Sequence, residues 1–247
     1  MNGNKKAHVG SNFRTNEGHT LVVLEYVTAK NITVEFSDKL TEPFKVHIGN
    51  LRKGKVCNKM HKGVYGCGYV GVGEFSRLNS IKPYKSWSEM LRRCFGELQR
   101  KANERNTVEP DWCNFQVFCD WYTRQPNAFS SDCLELDKDI ISLGNTHYSP
   151  ENCRLVPREI NTRYPKSNAE GCRTYQTERG LWQATQTNFE GVRKTFKDVS
   201  KETVELWKLT QVRELLEKLV DKYKDCLTKD TKNALLTWSN YYCGGNL

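Results

Sequence analysis

Residues 134–161 run Leu-Glu-Leu-Asp-Lys-Asp-Ile-Ile-Ser-Leu-Gly-Asn-Thr-His-Tyr-Ser-Pro-Glu-Asn-Cys-Arg-Leu-Val-Pro-Arg-Glu-Ile-Asn. They gather carboxylates, amides, an imidazole and guanidinium groups within one short stretch. A strand ending at Asp137, a loop of Gly, Asn and Pro, and then Asn152 and Asn161 describe a small ββα hairpin and helix. Such a unit can hold one divalent ion against a phosphate. Mg²⁺ takes only one or two protein carboxylates and leaves its other positions to water and phosphate oxygen. Arg154 and Arg158, four apart, share a helix face as phosphate clamps, or are simply solvated. The plainer alternatives are Asp137 and Asp139 as surface acids at a strand end, His147 as a loop histidine and Asn152 as a helix-start residue.

The stretch resembles the HNH, or His-Me finger, nuclease motif of phage-encoded endonucleases and their homing relatives. In that motif a V-D-H-x-D strand is followed by a loop, an N-L-R-W-V block and an I-N on a helix. Leu136-Asp137-Lys138-Asp139 stands for the first block, Asn152-Cys153-Arg154-Leu155-Val156 for the second and Ile160-Asn161 for the third, with the family's interval from Asn152 to Asn161. The resemblance implies a metal-dependent DNA endonuclease. Asp137 and Asn161 would hold one Mg²⁺ or Mn²⁺, with no zinc, and Asn152 would pin the loop. Lys138 stands where the family carries its general-base histidine. A lysine with an ordinary pKa near 10.4 stays protonated at neutral pH and cannot accept a proton from water. A positioned base is worth about 10² to 10⁴ in rate, so activity would turn on a substitute, His147 or Asp139.

These residues need elements to position them. From Tyr84 to Arg105 apolar residues recur at helical spacing, with Arg92 and Arg93 on the opposite face as candidate contacts to a DNA backbone. A second helix starts near Asp111 and runs through Tyr122. Towards the amino terminus, residues 20–27, 31–36 and 44–48 alternate as strands of a small antiparallel sheet or barrel, and the Gly-rich run 63–73 reads as a linker or a loop hugging a surface. Near the carboxyl terminus, strand-like pieces at 172–177, 181–187 and 192–196 precede a helix from Ser200 to Tyr223. This segment resembles an AP2-type DNA-binding module, which implies a sheet that reads the major groove through Arg173, Arg179, Trp182, Arg193 and Lys194; Trp182 alternatively belongs to the core. Residues 173–197 carry five cations against two acids, whereas 198–230 carry seven against eight, so positive charge favours the sheet. The expected class is α+β. A small β-barrel-like domain occupies 1–73, two helices and an HNH-like ββα-metal domain occupy 74–168, and an AP2-like domain with an unplaced tail occupies 169–247.

Composition bounds the function. The 247 residues carry a formal net charge of +9, which points to a polyanion such as double-stranded DNA. A hydrophobic fraction of 37% with 27 aromatic residues (6 Trp, 11 Tyr, 10 Phe) suits several small cores. No window approaches the roughly 18 apolar residues of a membrane helix. The ten cysteines form no C-x-x-C pair and read as reduced, mostly core thiols. The expected setting is a cytoplasm, that of an infected bacterial host if the chain is phage-encoded. Three functions stay open: a DNA endonuclease, a catalytically inactive DNA-binding or regulatory protein, and a basic protein that binds a host or phage protein through its amino-terminal domain. Monomer and dimer are both compatible with the sequence.

Overall fold

A computed structural model describes residues 7–96, 106–126, 128, 134–165 and 173–242. The expected continuation of the first long helix to residue 105, the sheet's start at 172 and the last five residues of the tail lie outside this set. The fold is α+β with several small sheets. No helix among the described residues is long and apolar enough to cross a membrane. The chain divides into two compact units, Met1–Gly96 with Pro110–Cys119, and Glu97–Glu109 with Asp120–Leu247.

In the first unit, β1 (Asn12–Arg14), β2 (Thr20–Thr28), β3 (Asn31–Phe36) and β4 (Phe44–Val46) form an antiparallel meander in that order. The sequence left open a barrel, but β4 is not paired with β1, and the sheet stays open among the described residues. Alternation sends Leu21, Val23, Ile32, Val34 and Phe36 to one face, where they are buried with Phe13 and Leu51. A short helix, α1 (Ile48–Arg52), follows the sheet, capped by His47, whose Nδ1 accepts from the Gly49 amide. The longer α2 (Ile81–Phe95) buries Trp87, Met90 and Leu91. The indole Nε1 of Trp87 donates to the carbonyl of Trp112 at 2.7 Å. Trp112 belongs to a 3₁₀ turn (Pro110–Cys113) that precedes α3 (Phe115–Thr123).

The Gly-rich run wraps the start of α3. Gln116 Nε2 donates to the carbonyls of Val70 and Phe75, and its Oε1 accepts from the Phe75 amide. A Cβ at Gly73 would lie 2.2 Å from Gln116 Oε1, and one at Gly71, where φ is +75°, would lie 2.2 Å from Asn114 Oδ1. Only glycine permits that approach. In the same unit the thiols of Cys67 and Cys113 are 3.3 Å apart. Of the seven described cysteines, Cys119 and Cys153 are buried and Cys57 is exposed, so fewer are core residues than their number suggested.

In the second unit, β5 (Thr107–Val108) pairs in parallel with β7 (His147–Tyr148), and β6 (Leu134–Asp137) pairs antiparallel with β8 (Arg154–Pro157). Pro157 ends β8 and α4 (Arg158–Arg163) follows at once. Next come β9 (Tyr175–Gln176), β10 (Trp182–Thr187) and β11 (Arg193–Asp198), a sheet with β10 in the middle. The 22-residue α5 (Lys201–Lys222) crosses it. Ser200 caps α5 by accepting from the Thr203 amide at 3.1 Å, and Glu202 sits in the first turn, where the helix dipole favours an acid. The tail forms α6 (Lys229–Tyr242).

One core joins these parts. Val156, Ile160 and Tyr164 of the hairpin and α4 pack with Val212, Leu215, Leu216 and Leu219 of α5 and with Leu235 and Trp238 of α6. Polar contacts follow the same seam. Glu159 of α4 accepts from Arg163, Lys222 and Tyr223, and Arg163 donates to the carbonyls of Asn188 and Phe189 in the β10–β11 turn. The ring of Phe189 meets the cations of Arg163, Lys218 and Lys222 at 5.7 to 6.0 Å.

Candidate functional site

β6, β8 and α4 form a ββα unit, and its register decides which groups converge. Asp137 lies opposite Arg154 at the loop end, while Glu135, two residues back on the same strand face, lies opposite Val156 near the start of α4. Asn161 therefore reaches Glu135, donating from Nδ2 to Oε2 at 2.5 Å. Arg158 Nε stands 3.5 Å from Glu135 Oε1, with its side chain 69% exposed. Asn161 thus has a partner in Glu135, a residue the motif did not single out. The period-2 alternation of the strand was the signal that could have found it.

Asp137 has a local task. It is 2% exposed, and its Oδ1 accepts from the amides of Asp139 and Ile140, each at 2.8 Å, turning the chain out of β6. Lys138 donates to Asp139 Oδ1 at 2.8 Å and to the Asn145 carbonyl at 2.5 Å, so lysine and acid neutralise one another beneath the loop. Asn145, more than Asn152, pins that loop. Its amide donates to the carbonyls of Lys138 and His147 and accepts from the His147 amide. Asn152 adds a long bond of 3.5 Å to the same His147 carbonyl.

The imidazole of His147 faces β5: Nδ1 is 2.9 Å from Thr107 Oγ1 and Nε2 is 3.5 Å from Glu109 Oε2. Among the described residues no group of three or more His, Cys, Asp or Glu side chains is arranged to hold a metal ion. Oδ1 of Asp137 is bound to two buried amides, so a divalent ion held by Asp137 and Asn161 would be met by Asp137 Oδ2 and Asn161 Oδ1. Arg154 begins a strand, not a shared helix with Arg158. It is held by Asp230 and by the carbonyls of Pro150, Glu151 and Cys153, so it ties α6 to the hairpin instead of facing solvent.

The three-stranded sheet has a different character. Ala184 is buried and Phe196 stacks on Trp207 of α5, which places the even-numbered residues of β10 and β11 towards the helix. Trp182 and Lys194 share that side, and Lys201 Nζ lies 5.5 Å over the Trp182 ring. The outward side presents Tyr175, Gln183, Thr185, Thr187, Arg193, Thr195 and Lys197, without a carboxylate. Gln183 and Tyr175 are bonded across strands, as are Thr185 and Thr195. Arg173, just before β9, and Arg179, in the β9–β10 turn, are exposed. Lys197 is the cation that the motif reading passed over. Arg92 and Arg93, in the first unit, both pair with Glu89, Arg92 in a two-point contact of 2.6 and 2.8 Å.

The seam between α4 and α5 carries a pH dependence. Bonding to Lys222 above all, aided by Tyr223 and Arg163 and opposed by burial, holds the Glu159 carboxyl below its ordinary value. Its stabilisation is complete above the unfolded-state value and drains away as pH falls through the lower native one. Glu159→Gln is expected to cost about 1–2 kcal/mol at pH 7. Urea unfolding repeated towards pH 3 should show the gap to wild type closing.

No protein-family model, curated protein or solved structure matches the chain.

Proposed function

We propose that this chain binds duplex DNA through the outward side of β9–β11, with the ββα unit acting as a folded support and not as a hydrolytic centre. The observation that carries this reading is that sheet surface: Arg193 and Lys197 are exposed, hydrogen-bonding Gln and Thr side chains lie between them, and no acid opposes them. The major groove admits a two-stranded ribbon. Gln pairs with adenine edges, Arg with guanine, and Thr methyls pack on thymine. Arg173 and Arg179 would meet phosphates, which fix register without reading sequence. The net charge of +9 and the resemblance to AP2-type and HNH proteins point the same way.

Anisotropy titrations of a labelled duplex should give a log affinity that falls linearly with log salt, at about −0.9 per phosphate neutralised. Arg193→Ala with Lys197→Ala should weaken binding about 10- to 100-fold and flatten the slope by roughly 2. Arg92→Ala, whose guanidinium is already held by Glu89, should stay within about twofold of wild type. Unchanged affinity and slope in the double variant would refute the reading.

A second reading, metal-dependent phosphodiester cleavage, is favoured by the contact of Glu135 with Asn161 beside the exposed Arg158. Nicking of supercoiled plasmid with Mg²⁺ or Mn²⁺, lost in Glu135→Gln, would establish it in place of the first.

A further inference from the structure

We propose that the groove over the first turns of α2 docks an acidic, amphipathic helix from a partner protein. The groove encloses about 630 Å³ and is lined by Arg77, Leu78, Ile81, Tyr84, Lys85 and Glu89 among others, all within the first unit. Leu78 is 87% and Ile81 57% exposed, while the opposite side of α2 already buries Trp87, Met90 and Leu91. The two aliphatic side chains are surplus to the core.

Leu78 is also held in place. Asn79 Oδ1 accepts from the Ser76 amide and from the hydroxyls of Ser76 and Ser80, and its Nδ2 donates to the Glu74 carbonyl. A fixed turn thus presents the side chain to solvent, which lowers the ordering cost of binding. The Arg77 guanidinium lies 5.8 Å over the Tyr84 ring. Neither Arg77 nor Lys85 has a carboxylate in ion-pair range among the described residues. Glu89 is neutralised by Arg92 and Arg93, and no acid occupies the first turn of α2.

These features select the occupant. A DNA backbone would use the cations and gain nothing from Leu78 and Ile81. A second copy of this chain brings a like net charge of +9. A neutral apolar peptide would leave the cations unanswered. A helix with an apolar stripe at i, i+3 and i+7 flanked by Glu and Asp satisfies both, the stripe supplying affinity and the acids steering encounter.

The probe is a labelled peptide of about 18 residues, long enough to hold helix in water, with a Leu stripe and Glu elsewhere. A control peptide keeps the stripe and replaces Glu by Lys. With the full chain, anisotropy should report binding of the acidic peptide and none of the basic one. Leu78→Ser with Ile81→Ser should weaken it at least about tenfold at any salt. Arg77→Glu with Lys85→Glu should weaken binding of the acidic peptide, reverse the sign of its salt dependence and confer binding of the basic peptide. Circular dichroism melts check that each variant folds. Failure of the acidic peptide to bind, equal binding of both peptides, or indifference to both double variants overturns the proposal. So does displacement of the bound peptide by a short DNA duplex from wild type and from Arg193→Ala/Lys197→Ala alike, which would assign the groove to DNA.

Discussion

Ile160→Ala should lower the unfolding free energy by about 2–5 kcal/mol, and the ββα unit and the three-stranded sheet should melt together. Ile160 is fully buried on α4, yet its cluster includes Val212, Leu215, Leu216 and Leu219 of α5, the helix that also backs the sheet. Truncation opens a cavity that these neighbours fill only partly, and its cost falls on both halves because α5 packs against both. Amide exchange at β10 reports the sheet. Amide exchange at β8 reports the hairpin. One shared denaturation midpoint, shifted equally by both probes, is the expected outcome. Separate transitions, with only the hairpin probe displaced, would show that the two parts hold together without the common cluster.

Asp137→Ala should cost about 2–4 kcal/mol with or without divalent metal, since it leaves two buried amides without their acceptor. Asp137→Asn, which keeps an oxygen acceptor at the turn, should recover at least half of that loss. A metal ligand would behave otherwise. Its replacement by Ala would relieve charge, leave stability in chelator unchanged or raised, and remove a stabilisation that wild type shows on adding Mn²⁺. Thermal melts of the three proteins in chelator and in Mn²⁺ separate the cases. A wild type that gains several degrees with Mn²⁺, together with an alanine variant as stable as wild type in chelator, would give Asp137 the role of ligand.

Much of the architecture was legible because it rests on local periodicity. The alternation in 20–27 and 31–36 and the spacing of apolar residues along 200–223 each recur in the observed elements. β1 escaped because three residues carry too little period to register. The tail helix was readable only in part. Thr228 accepts from the Thr231 amide at its start, a capping signal, but Leu235 and Trp238 are a sparse apolar stripe in a polar segment. The site was less legible for a different reason. Motif spacing says which residues are near one another along the chain. That Asn161 meets Glu135 depends on strand register. Likewise His147 meets Thr107 because of a parallel pairing with a strand forty residues earlier, which no short-range pattern encodes.

The two neighbouring sulfurs of the amino-terminal unit have a practical bearing on handling. At their separation a cross-link is within easy reach, and air in a purification buffer would ordinarily be expected to make one. Burial first, and then the adjoining thiol, push Cys67 far above the usual thiol range. The Cys67 anion is correspondingly scarce at neutral pH. Oxidation that starts from the Cys67 thiolate should therefore be slow in mild conditions, and alkaline labelling protocols are the ones to avoid.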